Sequence, residues 1–368
     1  MERFAVIAGL LVAAGFALGS LGSGVHVNWD FSDEVFEQDT ATPADPSQIV
    51  TLAPMAYAAQ SIRIDGVVAV VTLIPEDRTD IELAIDNAGP LATPKVNVDQ
   101  NVLAIDGGFG GGMSCRDTAG VRIQGVGAVA RDSLPRITAR VPRDVVFSGD
   151  GVVFLDVATA QSADVELSRC SDAKFADLAG ALTLNIEGAA EANAGAVQTA
   201  NIRVSGAGTV ILASVREALD ATIEGAGDLT VNQAAGTAAM RISGSGDIAV
   251  NAATLSTLDA NIEGSGDLSI DGNVSGLAKV EISGSGDIDV SGSVGDLEAL
   301  IQGSGEIEVG QVQRGMRQEV HGSGTVSVRG QGDGTRTLTR QTTIINENGA
   351  TTRTEIAVQE GPATKGSE

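Results

Sequence analysis

Ile262-Glu-Gly-Ser-Gly-Asp-Leu268 is one of seven copies of a short phrase that recurs through residues 204–326. The copies begin their glycine pair at Gly206, Gly225, Gly244, Gly264, Gly284, Gly303 and Gly322. Successive copies are therefore 19 or 20 residues apart. A fixed period of this size is typical of a solenoid, in which each repeat buries its apolar side against its neighbours. The sequence thus predicts a repeat architecture.

Apolar and polar residues alternate around each phrase. Isoleucine or valine stands two residues before the first glycine, and aliphatic residues stand four and six residues after it. This period of two predicts strands with one buried face, and the β-branched residues favour strand over helix. A further pair such as Leu258 and Ala260 supplies another inward wall. We predict two or three short strands per coil, joined by bends at the glycines and stacked in parallel about 4.8 Å apart.

The phrase Ile-Ser-Gly-Ser-Gly-Asp-Ile, at 242–248 and 282–288, resembles the bacterial domain family DUF2807, the auto-transporter adhesin head GIN domain. The resemblance extends from about Ile62 to Val328 and is most specific within the repeat. It implies an all-β fold, a single-stranded right-handed parallel β-helix with one coil per repeat. It also implies an exported protein of the bacterial cell envelope or periplasm. The family has no established activity, so the resemblance assigns no catalytic residue and no cofactor.

The first 48 residues are predicted to comprise an export signal followed by a flexible leader. Residues 1–19 contain Arg3 followed by an apolar run, and this pattern predicts a signal peptide or an uncleaved N-terminal anchor. Residues 20–48 are polar, acidic and proline-bearing, which is typical of a flexible leader. We therefore expect an exported protein of the periplasm, envelope or surface, with the membrane as a partner only through such an anchor.

The rest of the chain divides into three segments. Residues 49–120 alternate without the glycine phrase and are predicted to form an N-terminal β cap, because an open solenoid end exposes unpaired strand edges. Degenerate copies at 125–127 and 149–151 place the solenoid at 121–330, with about ten coils. Residues 331–368 contain an Asn-Gly turn signal and are predicted to be a C-terminal hairpin or a disordered tail.

The net charge limits which kinds of molecule can bind to the protein. The net charge is −25, and only 3% of the residues are aromatic, which suits a narrow core of small aliphatic side chains. So acidic a surface argues against nucleic acid and anionic membranes as partners. Cations and basic surfaces remain compatible with it.

A column of carboxylates is the main candidate for chemistry. Five consecutive coils carry an acidic residue three positions past the first glycine: Asp228, Asp247, Asp267, Asp287 and Glu306. Like charges about 5 Å apart repel each other, so something must offset them. Two explanations stay open. The carboxylates cap backbone amides at the bend, or they bind Ca²⁺.

Three further motifs were open to a functional interpretation. Cys115 and Cys170 are the only cysteines, and in an exported protein they predict a disulfide, with two free thiols as the alternative. The segment 125–130 matches a dinucleotide-binding pattern, but no helix is predicted after it, so we expect a solenoid bend. His321 belongs to an outward series before the glycines and is not expected to act as a base.

These features predict a non-catalytic module that is structural or adhesive. Its partner is expected to be an envelope or surface component, a polysaccharide or a protein, bound along a lateral face. One alternative is a carbohydrate-active β-helix enzyme, which needs paired carboxylates around a cleft. The other is a cation-binding surface protein that uses the acidic column.

Overall fold

The structure is a computed structural model. It describes residues 49–110, 112–116, 120–330, 338–345 and 351–358, with side chains up to residue 330 except those of 115 and 116. The predicted signal peptide or anchor and the predicted leader lie outside the described residues. Within the described part of the chain, no helix is long and apolar enough to cross a membrane.

Among the described residues, nine strands and one short helix precede the regular coils. The strands are β1 (Leu52–Tyr57), β2 (Ser61–Glu76), β3 (Ile81–Asp86), β4 (Lys95–Asp99), β5 (Val102–Asp106), β6 (Met113–Arg116), β7 (Gly120–Ile123), β8 (Gly127–Ala130) and β9 (Arg136–Pro142). A 3-10 helix spans Arg131–Ser133.

The strands that follow run along the stack in chain order. They are β10 (Asp144–Val157), β11 (Ser162–Arg169), β12 (Asp172–Phe175), β13 (Ala181–Gly188), β14 (Glu191–Gly206), β15 (Thr209–Gly225), β16 (Asp228–Val231), β17 (Ala234–Gly244), β18 (Asp247–Gly264), β19 (Leu268–Gly284), β20 (Ile288–Gly303), β21 (Glu306–Val312), β22 (Met316–Gly322), β23 (Thr325–Gly330), β24 (Leu338–Ile345) and β25 (Thr351–Val358).

Each regular coil has three short walls. In one coil, residues 237–244 form wall A, 247–250 form wall B and 253–255 form wall C. Each wall pairs in parallel with the same wall of the next coil. The Gly-x-Gly phrase forms the corner between walls A and B. There Gly264 has φ +135°, and a Cβ would lie 2.2 Å from the carbonyl oxygen of Gly244, so only glycine fits. The predicted β-solenoid is confirmed, with about 10 turns.

The inward side chains form one continuous apolar core. Ile242 pairs in register with Ile262, which pairs with Ile282 and then with Ile301. All four side chains are buried. Burying one such side chain contributes roughly 1.5–3 kcal/mol, and the contribution recurs in every coil. This is the column that the alternation in the sequence predicts.

The N-terminal part of the stack does not follow chain order. β2 lies between β10 on one side and both β5 and β9 on the other, and all of these pairings are parallel. β4 then pairs antiparallel with β5. β3 pairs antiparallel with β9, and β1 with β3. Antiparallel strands therefore close this end of the stack, whereas β2 already belongs to the parallel coils.

The predicted start of the solenoid at Val121 is wrong. β6, β7 and β8 form a separate antiparallel sheet; Gly125 and Val126 lie in the hairpin turn between β7 and β8, and Gly127 begins β8. Asp65-Gly66 is a corner within β2, which continues through it from one wall to the next. The physical reason is that parallel and antiparallel strands share the same period of two. Alternation alone therefore does not distinguish a stacked coil from a hairpin.

The last two strands extend and then end wall A. β24 pairs in parallel with β22, and β25 pairs antiparallel with β24. Within the described residues, β23 is the last strand of wall B and pairs with β21.

Candidate binding surface

The small β6–β8 sheet covers part of the outer face of wall B. Val152 and Phe154 point outward from β10, yet both are buried against Val121 and its neighbours in an apolar cluster separate from the main core. The guanidinium of Arg131 lies 4.2 Å from the ring centroid of Phe154 and 3.5 Å from a carboxylate oxygen of Asp172. Residues that would be exposed on a regular coil are thus covered here.

The predicted disulfide concerns the same sheet. Cys170 is disulfide-bonded and packs against the cluster under the β6–β8 sheet. The backbone of Cys115 belongs to β6, but its side chain lies outside the described residues. The pairing of Cys115 with Cys170 therefore stays a prediction, which a thiol count in the unfolded, unreduced protein would test.

The predicted acidic column forms a ladder of hydrogen bonds along the corner between walls A and B. The Oδ1 of Asp247 accepts a bond from the backbone N–H of Asp267 at 2.9 Å. Asp267 accepts one from Asp287 at 2.9 Å, and Asp287 accepts one from Glu306 at 2.8 Å. Asp228 stands in register with Asp247 at the start of the column. Three of the five carboxylates thus join one coil to the next.

The geometry of this column does not form a metal cage. Among the described residues, no group of three or more His, Cys, Asp or Glu side chains is placed to hold a metal ion. Ca²⁺ takes about six to eight oxygen ligands, whereas a column offers one side chain per coil. Calcium binding by the column stays a prediction to be tested by titration.

The other two corners use a similar arrangement that the sequence analysis missed. Asp177 accepts a hydrogen bond from the N–H of Ala196 at 2.8 Å. Asn273, which is in register with Thr254 of wall C, accepts one from the N–H of Ser293 at 2.8 Å. Asp296 does the same for Gly315 at 3.0 Å. Asp and Asn before a bend were the available signal, because their short side chains reach backbone amides there.

Two arginines pair with outward carboxylates of neighbouring coils. Arg169 binds Asp150, with its Nη2 2.9 Å from Oδ2, and this bond lowers the pKa of the Asp150 carboxyl. Arg329 contacts Glu308 and Asp289 from β23, which lowers the pKa of Glu308 and raises that of Arg329. These ion pairs are half-exposed, so each contributes little to stability.

His321 does not lie in a catalytic arrangement. Its Nε2 lies 2.8 Å from Oε1 of Glu319, and both side chains point outward from wall A. The segment 125–130 likewise lies in a hairpin, followed by a 3-10 helix of three residues, so it lacks the helix that a dinucleotide site requires.

A shallow groove of about 560 Å³ runs along the outer face of wall A. Its floor consists of one residue from the same position of six successive coils, small in the first five coils and a leucine in the sixth: Ala181, Thr199, Ala218, Thr237, Thr257 and Leu277. Six coils at about 4.8 Å spacing give a length of about 24 Å. Asp220 and Asp259 line the groove, with Ala239 between them in register, and Lys279 follows Asp259. A smaller groove of about 180 Å³ continues from Lys279 to Glu319.

The repeated three-walled coil defines the chain as a parallel β-solenoid with an exposed lateral groove. Residues 230–332 match the model of the family DUF2807, described as "Putative auto-transporter adhesin, head GIN domain". The resemblance inferred from the repeat is thereby confirmed. No curated protein matches the chain.

The chain is also similar to several solved structures. One is a "putative adhesin" from Parabacteroides distasonis ATCC 8503, with 16% identity over 75% of this chain and 96% of that chain and a TM-score of 0.37. A "Putative lipid binding protein" from the same organism has 14% identity over 75% and 96%, with a TM-score of 0.35. A putative adhesin from Bacteroides fragilis NCTC 9343 has 16% identity over 80% and 96%, with a TM-score of 0.24. Likeness at this level says nothing about the groove or its ligand.

Proposed function

We propose that the protein is an exported, non-catalytic β-solenoid of the cell envelope that binds a surface component along wall A. The supporting observation is the groove that continues over six coils. Equivalent positions recur in each coil, so contacts with an extended partner recur as well. Many weak contacts then act together, as in other repeat proteins with long binding faces. The family match to an adhesin domain supports the same class of function.

An enzymatic function has less support from this geometry. A glycan-cleaving site needs a carboxylic acid whose burial keeps it protonated, beside a second carboxylate. Asp220 and Asp259 are the acidic residues that line the larger groove, and both are exposed. Water around them offers no such environment. We therefore propose binding without turnover.

The test is a pair of coil deletions in the full chain. Removing residues 245–264 takes out one coil of the groove and rejoins Gly244 to Ser265 in register. Removing residues 285–303 takes out one coil beyond the larger groove in the same way. We expect the first deletion to weaken binding to envelope material several-fold and the second to leave binding nearly unchanged, because only the first shortens the groove.

Two outcomes would contradict the proposal. One is equal binding by both deletion variants and the full chain. The other is the appearance of cleavage products from a polysaccharide panel that a single carboxylate substitution abolishes, which would favour the carbohydrate-active enzyme. Export is tested separately, by fractionation of cells and by N-terminal sequencing of the mature chain.

A further inference from the structure

We propose that the groove of wall A accepts an extended cationic segment of a polypeptide, rich in lysine or arginine. This inference rests on the proposed function of wall A as the binding face and specifies the chemistry of the partner. It starts from Asp220 and Asp259, which line the groove and are exposed.

These two carboxylates are available for a ligand. Among the side-chain hydrogen bonds and ion pairs of the described residues, none involves the carboxylate of Asp220 or Asp259. Some other outward carboxylates are engaged and closed to a ligand: Glu224 pairs with Arg203, and Asp296 pairs with Arg314. The groove therefore presents two unpaired negative charges in a chain whose net charge is −25.

The cost of covering these charges selects the partner. A neutral or anionic occupant of the groove would remove water from both carboxylates without supplying a counter-charge, which is unfavourable. A lysine or arginine side chain supplies the counter-charge. Its methylene groups can lie on the alanine and threonine floor while its charged head reaches a carboxylate. A cationic segment is therefore favoured over a neutral polysaccharide.

The positions of the charged residues limit the part of the groove that the segment can occupy. Asp220 and Asp259 are two coils apart, about 9.6 Å. In an extended segment, side chains on one face recur about every 7 Å, so flexible cationic side chains can reach both carboxylates. Lys279 lines the far end of the groove and opposes further extension there, so the segment is expected to lie between the coils of Thr199 and Asp259. Arg241 is exposed on the coil between the two aspartates, one outward row away from them, so the segment is expected to follow the row of Asp220 and Asp259.

Fluorescence anisotropy with the full-length protein at about 0.15 M salt tests the proposal. The probe is a labelled peptide of alternating lysine and serine. A peptide of alternating glutamate and serine and a neutral dextran oligosaccharide serve as comparisons. We expect the lysine peptide to bind most tightly. Attraction to the net charge of the protein also lowers the Kd of any cationic peptide, so the contribution of the groove is measured by comparing variants that remove the same charge at different places.

The variants separate the groove from the general charge. Asp220→Asn with Asp259→Asn should raise the Kd of the lysine peptide at least tenfold. The matched control, Asp228→Asn with Asp267→Asn, removes the same charge at the same two-coil separation on the acidic corner, and should change the Kd less than twofold. Lys279→Glu should lower the Kd several-fold. Melting temperatures check that each variant is folded.

Three outcomes would overturn the inference: equal weakening by both double variants, no effect of the groove variants, or tighter binding of the dextran oligosaccharide than of the lysine peptide. If any of these occurs while deletion of residues 245–264 still weakens binding to envelope material, only the cationic partner is refuted. If that deletion also has no effect, the proposed function fails with it.

Discussion

The regular coils after residue 181 and the N-terminal strands before residue 157 build the same stack in two different ways. In the regular part, each wall pairs with the next coil along the chain, about 20 residues away. In the N-terminal part, β2 pairs with β5, β9 and β10, which come from distant segments. The comparison shows that a strict period gives nearest-neighbour pairing, whereas a broken period allows strands to insert out of order and to close the end.

The two parts also differ in their outer faces. Near the N-terminal end, the β6–β8 sheet covers the outward residues Val152 and Phe154 of β10. Along the regular coils, the outer face of wall A stays open and carries the groove. The inserted strands thus cover part of the outer face near the N-terminal end, whereas the regular coils keep a continuous exposed face.

The largest effect is expected from breaking the regular core. Ile282→Asp places a charge without a partner in the buried isoleucine column, which should lower the free energy of unfolding by about 4 kcal/mol or more. Ser283→Asp, one residue further on the outer face, should change it by less than about 0.5 kcal/mol. Urea unfolding followed by circular dichroism measures both. An unchanged midpoint for Ile282→Asp would contradict the register.

A second substitution compares a crowded glycine with an open one. Gly264 has a positive φ, and Gly264→Ala places a Cβ 2.2 Å from the carbonyl oxygen of Gly244. This substitution should lower the free energy of unfolding by about 2 kcal/mol or more. Gly110, in the N-terminal part, has nothing within 4 Å of such a Cβ. Gly110→Ala should therefore cost less than about 0.5 kcal/mol. Similar melting temperatures for the two variants would show that the corner tolerates a side chain.

Substitutions in the acidic column should have a smaller effect on the stability of the regular coils. Asp267→Ala removes the acceptor for the N–H of Asp287 and should cost about 1 kcal/mol. Asp267→Asn keeps an oxygen acceptor while removing a charge, so it should cost less. Millimolar Ca²⁺ should shift the melting temperature of the unmodified protein little. A saturable, Ca²⁺-specific rise that Asp247→Asn and Asp267→Asn abolish would instead establish cation binding.

The smallest effect concerns pH at the junction of the two parts. Arg169 lowers the pKa of Asp150 below its ordinary value of 3.8. A lowered carboxyl pKa in the folded state contributes stability that is present above about pH 4 and is lost as the pH falls through the folded-state pKa. Because the pair is partly exposed, the contribution should be less than about 1 kcal/mol. The free energy of unfolding of Asp150→Asn should therefore be lower than that of the unmodified protein at pH 7 and equal to it near pH 2. Arg169→Gln should remove the same pH dependence of stability. If Asp150→Asn is still less stable than the unmodified protein at pH 2, the ion pair is not the cause of the difference.

Much of the regular fold could be predicted from its residues. The isoleucine column, the glycine corners and the acidic column all follow from one period, because stacked coils place equivalent residues side by side. Prediction failed at Val121, because alternation without a period does not indicate whether strands pair in parallel or antiparallel. The groove was also missed as a site. Its floor, which is mostly alanine and threonine, carries no chemical motif, and its volume depends on small side chains from five successive coils.

The sequence by itself determined the repeat, the parallel stacking of the coils and the inward residues, since a period of 19 or 20 residues with alternating polarity has few other ways to bury its apolar side. Only the tertiary structure decided the insertion of β2 between distant strands, the covering of wall B by the β6–β8 sheet and the groove of wall A. These features depend on contacts between segments far apart in the chain or on the combined size of side chains from several coils. No local pattern of residues encodes such contacts.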